Sequence, residues 1–181
     1  MKVIETAISG VKFIIPTVFV DDRGYFLESY HADQMASMIG ENCHFVQDNH
    51  SHSKKNVLRG LHYQIRQPQG KLVRVISGEI YDVAVDLRKS SPTFGRCVCS
   101  YLSSENKMMV WIPPHFAHGF LVLSESTDVI YKTTDYYSPS NERCLRWDDP
   151  DLAIEWPVTQ SVLLSPKDRQ GGFLKEAEVF T

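Results

Sequence analysis

Nowhere in this sequence do more than two lysines or arginines stand together, and 19 basic against 22 acidic residues leave a net charge of −3. A sequence-independent grip on a nucleic-acid polymer needs a concentrated basic face, so no such partner is expected and a small anionic ligand has to be met by single cations. Long apolar runs are also missing. Pro16 ends the short Phe13-Ile14-Ile15 run, and Glu5 and Ser9 interrupt what precedes it, so neither a signal-peptide core nor a membrane span is expected and the cytoplasm is the default compartment. Cysteine is scarce: Cys43, Cys97, Cys99 and Cys144 show no CxxC spacing. Cys97 and Cys99 lie on one side of any strand that carries them without forming a usual disulfide pair, so reduced, packed thiols are expected. Helical periodicity is confined to His31 to Gly40.

What remains is a globular composition, 43% hydrophobic and 23% charged, which excludes long disorder, collagen-like repeats and coiled coil. A chain of this length buries one substantial core, so a single domain over residues 1–181 is expected. Its pattern is dominated by period two. Lys71 to Ile76 and Glu79 to Leu87 read as strands, the second with Tyr81, Val83, Val85 and Leu87 as an apolar face opposite Asp82 and Asp86. Ser77-Gly78 between them reads as a hairpin turn. Val11 to Ile15, Cys97 to Leu102, Met108 to Ile112, Gly119 to Leu123 and Asp128 to Thr133 add further short strands bounded by turn-forming residues. Ser165 to Gly172 reads as a polar loop. Many short antiparallel strands predict an all-β jelly-roll sandwich or barrel with a few short helices, whose mouth can hold one ligand.

Polar residues collect in compact phrases: Asp22 to Glu28, Gln47 to His52, Arg59 to Gln64, and Pro113 to Phe120. Gly60 and Gly119, beside His62 and His118, permit close backbone approach. Taken together, Arg59-Gly60-Leu61-His62, Gly70-Lys71, Ile112-Pro113-Pro114 through His118-Gly119-Phe120, and Trp147-Asp148-Asp149-Pro150 resemble the dTDP-4-dehydrorhamnose 3,5-epimerases, a family of the cupin superfamily. The resemblance runs from about Ile14 to Asp168. It implies a jelly-roll homodimer that inverts C3 and C5 of a dTDP-linked 4-keto-6-deoxyhexose on the way to dTDP-L-rhamnose, using no cofactor and no metal.

That chemistry sets its own requirements. Both carbons flank one ketone, so one site serves two inversions. A histidine near pKa 6.5 facing an α-proton near pKa ~20 works uphill by roughly 18 kcal/mol, so a base alone does not suffice. Something must hold the enolate oxygen, and Lys71 is the candidate. By resemblance His62 is the base, oriented by Asp168, and Tyr131 is the acid on the opposite face. The resemblance assigns Arg59 to phosphate, and Arg23, Phe26 and Glu28 to the thymidine region with Gln47 and Asn49 nearby and Tyr137 as a stacking residue. His118, Glu142 and Lys167 match further ligand positions. The segment from Arg23 to Glu28 is expected to cross to a partner subunit.

Three other readings compete. Cupins often bind a divalent metal through an HxH pair, and His50-Ser51-His52 with His118 offers such a set, although His62 is followed by Tyr63 and Gln64 rather than a second histidine. A catalytically idle cupin would bind sugar nucleotides without needing His62, Asp168, Lys71 and Tyr131 together. A mono-epimerase or ketoisomerase would share most of this residue set. His115 carries no assignment.

Overall fold

A computed structural model describes residues 1–40, 43–158 and 160–181. Numbered in chain order, six strands form one antiparallel sheet in the spatial order β1 (Lys2–Glu5), β2 (Lys12–Ile15), β10 (Met109–Ile112), β7 (Lys71–Ser77), β12 (Ser126–Thr133) and β5 (Gln47–Lys54). Five form a second: β13 (Glu142–Cys144), β6 (Leu58–Gln64), β11 (Phe116–Val122), β8 (Glu79–Asp86) and β9 (Cys97–Ser103). A separate hairpin, β3 (Val18–Asp21) with β4 (Gly24–Leu27), pairs with neither sheet. This is the jelly roll that the alternating pattern predicts.

Period-two alternation lets each strand feed two layers at once. Between the sheets, Val73, Val75, Ile80, Ala84, Val110, Phe116, Phe120 and Val129 form the interior core. Behind the five-stranded sheet, Leu61, Tyr63, Val83, Val85 and Leu87 pack against Leu145, Leu152, Trp156, Leu174 and Phe180 of the C-terminal segment. Behind the other sheet, Met35 and Ile39 of helix α1 (Ala32–Ile39) cover Ile14, Leu72, Met109 and Trp111. Fully burying one such apolar side chain contributes roughly 1.5–3 kcal/mol. The helix stops at Gly40, which takes the left-handed conformation (φ 77°) that favours glycine and donates its N–H to the Ala36 carbonyl. The Trp147-Asp148-Asp149-Pro150 phrase fastens the C-terminal cover: Asp149 accepts from the Leu174 amide at 2.6 Å, and the Trp147 carbonyl accepts from the Trp156 indole at 2.8 Å.

Two expectations are corrected, and a third position is completed. Ser77-Gly78 is no hairpin turn, because β7 and β8 belong to different sheets; Gly78 (φ 81°) turns a corner so tight that a Cβ would lie 2.3 Å from the Ser126 carbonyl. Asp82 and Asp86 do lie opposite the apolar face of β8, as the alternation predicts, but that side is not open to solvent. They are 2% and 0% exposed, since the apolar face of β8 packs under the C-terminal cover and the aspartates look into the sandwich with Ile80 and Ala84. Finally, the segment 165–172 contains a short helix, α2 (Pro166–Arg169), capped by the Ser165 hydroxyl with Pro166 in its first turn.

Candidate active site

The mouth between the sheets encloses a cavity of about 360 Å³. Its walls come from both sheets: Arg59 and His62 on β6, His118, Gly119 and Phe120 on β11 and Glu142 on β13 face Gln47, Asn49 and Ser51 on β5, Lys71 on β7 and Tyr131 on β12. Tyr137, Gln69 and Lys167 close the rim. The strands that build this cavity carry polar residues inward, so β5 and β6 lose the apolar alternation that marks the others.

Close approach of β6 and β11 makes room for the histidines. A Cβ on Gly60 would fall 2.6 Å from the Cα of Gly119, and one on Gly119 would fall 2.6 Å from the Arg59 carbonyl. Gly60 also sits at φ 116°, in the region that disfavours other residues. The pairing slips between His118 and Phe120, leaving His118 directly opposite His62.

His62 Nε2 lies 2.6 Å from Asp168 Oδ1, which leaves Nδ1 as the second ring nitrogen for proton transfer. Asp168 is 4% exposed. Burial by itself raises its carboxyl, but hydrogen bonds from His62 and from the Ser165 hydroxyl (2.6 Å) outweigh that and hold it below the ordinary aspartate range. Cys144, cross-strand neighbour of His62, has its thiol 4.0 Å from the same carboxylate oxygen. Burial and the Asp168 charge push that thiol up to about 12.

Lys71 is buried, and its ammonium donates to the His62 carbonyl at 3.3 Å. Burial pulls its pKa down to about 8, against the raising influence of Asp82 and Glu142. His118 Nε2 lies 2.7 Å from Asp82 Oδ2, a second buried histidine–carboxylate pair. Tyr131 packs on the interior core, and burial raises its phenol above the usual value despite nearby Arg59. At the rim, Glu142 binds both the Lys167 ammonium and the Tyr137 hydroxyl, the latter at 2.6 Å. The Gln47 side chain joins Asn49 to the Tyr137 amide.

All predicted site residues except three therefore gather at this cavity, with Asp168 directly behind His62. Arg23, Phe26 and Glu28 do not reach it within their own chain. They lie on or beside the β3–β4 hairpin, where Phe19, Val20, Tyr25 and Phe26 are 62%, 77%, 56% and 69% exposed. The three-histidine metal set is not assembled: His50 and His52 share the outer face of β5 and both bind Asp128, at 2.9 and 3.1 Å, while His118 lines the inside. His115 stacks against Phe180, away from the cavity lining. Sequence reasoning missed Asp82, Ser51, Gln69 and Ser165. Only Ser165 left a legible signal, since Ser-Pro-Lys-Asp is a helix start.

A jelly roll whose mouth holds a carboxylate-tethered imidazole and a buried lysine is a cupin-type enzyme. Comparison with known proteins narrows the class. The family dTDP-4-dehydrorhamnose 3,5-epimerase matches residues 5–176. The dTDP-4-dehydrorhamnose 3,5-epimerase of Pseudomonas aeruginosa is 56% identical over 180 residues, covering 99% of each chain. A crystal structure of the dTDP-6-deoxy-D-glucose-3,5-epimerase of Legionella pneumophila in complex with dTDP-4-keto-L-rhamnose superposes with a TM-score of 0.96 at 51% identity, over 98% of this chain and 94% of that one. A 3'-monoepimerase from Streptomyces bikiniensis in complex with dTDP-quinovose is more distant, with a TM-score of 0.89 at 30% identity, over 94% of this chain and 86% of that one. The chain belongs to the dTDP-4-dehydrorhamnose 3,5-epimerase family.

Proposed function

We propose that this protein inverts C3 and C5 of dTDP-4-dehydro-6-deoxy-D-glucose, giving dTDP-4-dehydro-L-rhamnose, and that residues 1–181 act as one cupin domain. One observation carries the reading: His62, tethered to Asp168, and Tyr131 stand on different sheets yet line the same cavity. Inversion needs a base and an acid on opposite sides of the sugar ring, and two facing sheets supply two sides.

His62 removes the proton next to the ketone, and Asp168 stabilises the imidazolium that forms. The ketone oxygen gathers the negative charge. Lys71, buried at the start of β7, is the cation that meets it, and His118 adds a donor held in place by Asp82. Tyr131 then delivers its phenolic proton to the carbon from the far side. The nucleotide lies toward the rim, with Arg59 on the diphosphate and Gln47, Asn49, Tyr137, Glu142 and Lys167 around it. The chain's own groups supply each part of this sequence, so no metal or other cofactor is required.

The β3–β4 hairpin exposes four large apolar side chains beside Arg23 and Glu28. We infer that it docks on the cavity mouth of a second copy, giving a homodimer in which each site borrows Arg23, Phe26 and Glu28. None of the helices among the described residues is long and apolar enough to cross a membrane. Cys97, Cys99 and Cys144 carry free thiols, which accords with a working place in the reducing cytoplasm.

The test is an NMR assay with the 4-keto sugar nucleotide in heavy water. The wild-type protein should introduce deuterium at both C3 and C5, and His62→Ala should introduce it at neither. Deuterium at one carbon only would assign a single epimerisation; binding without exchange would remove the enzymatic reading altogether.

A further inference from the structure

The mechanism above uses His62 and Asp168 and leaves the third member of their cluster, Cys144, without a task. Donor atoms of His62, Cys144 and Asp168 all lie within 4.8 Å of one another. They arrive from three separate segments, β6, β13 and α2, and beside them lie the helix cap of Ser165 and the paired strands β6 and β13. One imidazole nitrogen, one thiol sulfur and one carboxylate oxygen make a donor set suited to zinc.

We propose that His62, Cys144 and Asp168 form a binding site for a thiophilic divalent cation, zinc foremost, and that occupancy of this site shuts the epimerase off. Tetrahedral zinc with bonds of about 2.0–2.3 Å holds its ligand atoms roughly 3.3–3.8 Å apart. The donors reach that spacing when the His62–Asp168 hydrogen bond, 2.6 Å long, opens by about 1 Å and the thiol, 4.0 Å from Asp168 Oδ1, closes in. A thiolate and a carboxylate together balance the charge of the ion, so no net charge is left buried.

The functional consequence follows from where the ion sits. Zinc on Nε2 takes the position of the proton shared with Asp168 and places a dication on the ring. The opposite nitrogen then loses the basicity needed to accept a proton from carbon, and Asp168 no longer stabilises an imidazolium. This consequence rests on His62 being the base. The site itself does not.

Two readouts keep these apart. Chelator-treated protein titrated with cobalt(II) should develop thiolate-to-cobalt charge-transfer absorption, and Cys144→Ala should not. Zinc should abolish solvent-deuterium incorporation into substrate by the wild-type protein, with recovery on adding chelator. Cys144→Ala and Cys144→Ser should turn over normally without zinc yet resist it, the inhibition constant rising on the order of tenfold or more, the scale seen when even a supporting partner of a metal ligand is lost. Cobalt binding without charge transfer, or equal zinc sensitivity in the wild type and both Cys144 variants, would overturn the proposal. So would inhibition that disappears in a His50→Ala/His52→Ala variant, because the ion would then act from the outer face of β5. A cobalt band in a protein without epimerase activity would leave the site standing and remove the assigned reaction instead.

Discussion

His62 and His118 occupy paired positions on neighbouring strands, yet each is tied to a different buried carboxylate, Asp168 at 2.6 Å and Asp82 at 2.7 Å. The two tethers come from unrelated parts of the chain. Asp168 sits in a capped helical turn near the C-terminus, and Asp82 on the strand beside His118. One cavity wall thus presents two oriented imidazoles, and the first predictions concern the pair assigned to proton abstraction.

His62→Ala should lower kcat/KM for epimerisation by about 10²–10⁴, the usual contribution of a positioned general base. Asp168→Asn should keep the fold but lose the anion that stabilises the imidazolium. Its deficit should appear in kcat with KM nearly unchanged, and an equal loss in binding alone would contradict the assignment.

Burial pulls the Lys71 ammonium down to about 8. If its ammonium holds the enolate oxygen, the protonated form is the active one, so kcat/KM should fall as pH rises through about 8. Lys71→Met should lose roughly 10²–10³ in kcat, as when one oxyanion donor is removed, and should also lose that alkaline limb. A limb that persists in the variant would belong to another group.

Ser51 lines the cavity, and its hydroxyl is buried with no hydrogen-bond partner among the described residues. An unsatisfied buried hydroxyl is costly, so a bound ligand is expected to supply the missing partner. Ser51→Ala should raise the dissociation constant of dTDP by about tenfold, equivalent to roughly 1.4 kcal/mol, while leaving thermal stability unchanged or slightly higher. Calorimetry on both proteins checks this.

Arg23→Ala and His62→Ala should each be nearly inactive alone. Unfolded and refolded together, they should regain activity, because a mixed dimer has one site with both His62 and a partner-supplied Arg23 intact. No recovery would mean that the hairpin serves its own chain.

The Ser165 hydroxyl both caps α2 and donates to Asp168. Ser165→Ala should cost about 0.5–2 kcal/mol. The folded state holds the Asp168 pKa low, so the stability it contributes is fully present above the unfolded value of about 3.9 and is lost as pH falls through the folded value. The gap between variant and wild type should therefore narrow in acid, as followed by denaturant unfolding across that range.

Strands with an apolar alternating face were legible from sequence alone. β2, β7, β8, β9, β10 and β12 lie within a residue or two of their predicted bounds, and α1 falls between His31 and Gly40. β5 and β6 were legible only as polar phrases, because one face of each lines the polar cavity and polar side chains there erase the signal that burial would write. The same inward polarity made those phrases recognisable as a family resemblance. The site was found through the property that hid its strands.

What the sequence determined by itself is the residue chemistry: a base, a phenol, a lysine, an arginine, and two glycines where backbones touch. Partnership was decided only in three dimensions. Period two separates Asp82 from the apolar face of β8 but cannot say which face looks inward, and that choice was made by the C-terminal segment covering the other side. Nor does the local pattern at Ser77-Gly78 distinguish a hairpin from a corner between sheets, since a turn is a local event and strand pairing is a long-range one. Asp168 reaches His62 across 106 positions in the chain. Hydrogen bonds of that span exist only because packing holds both ends still.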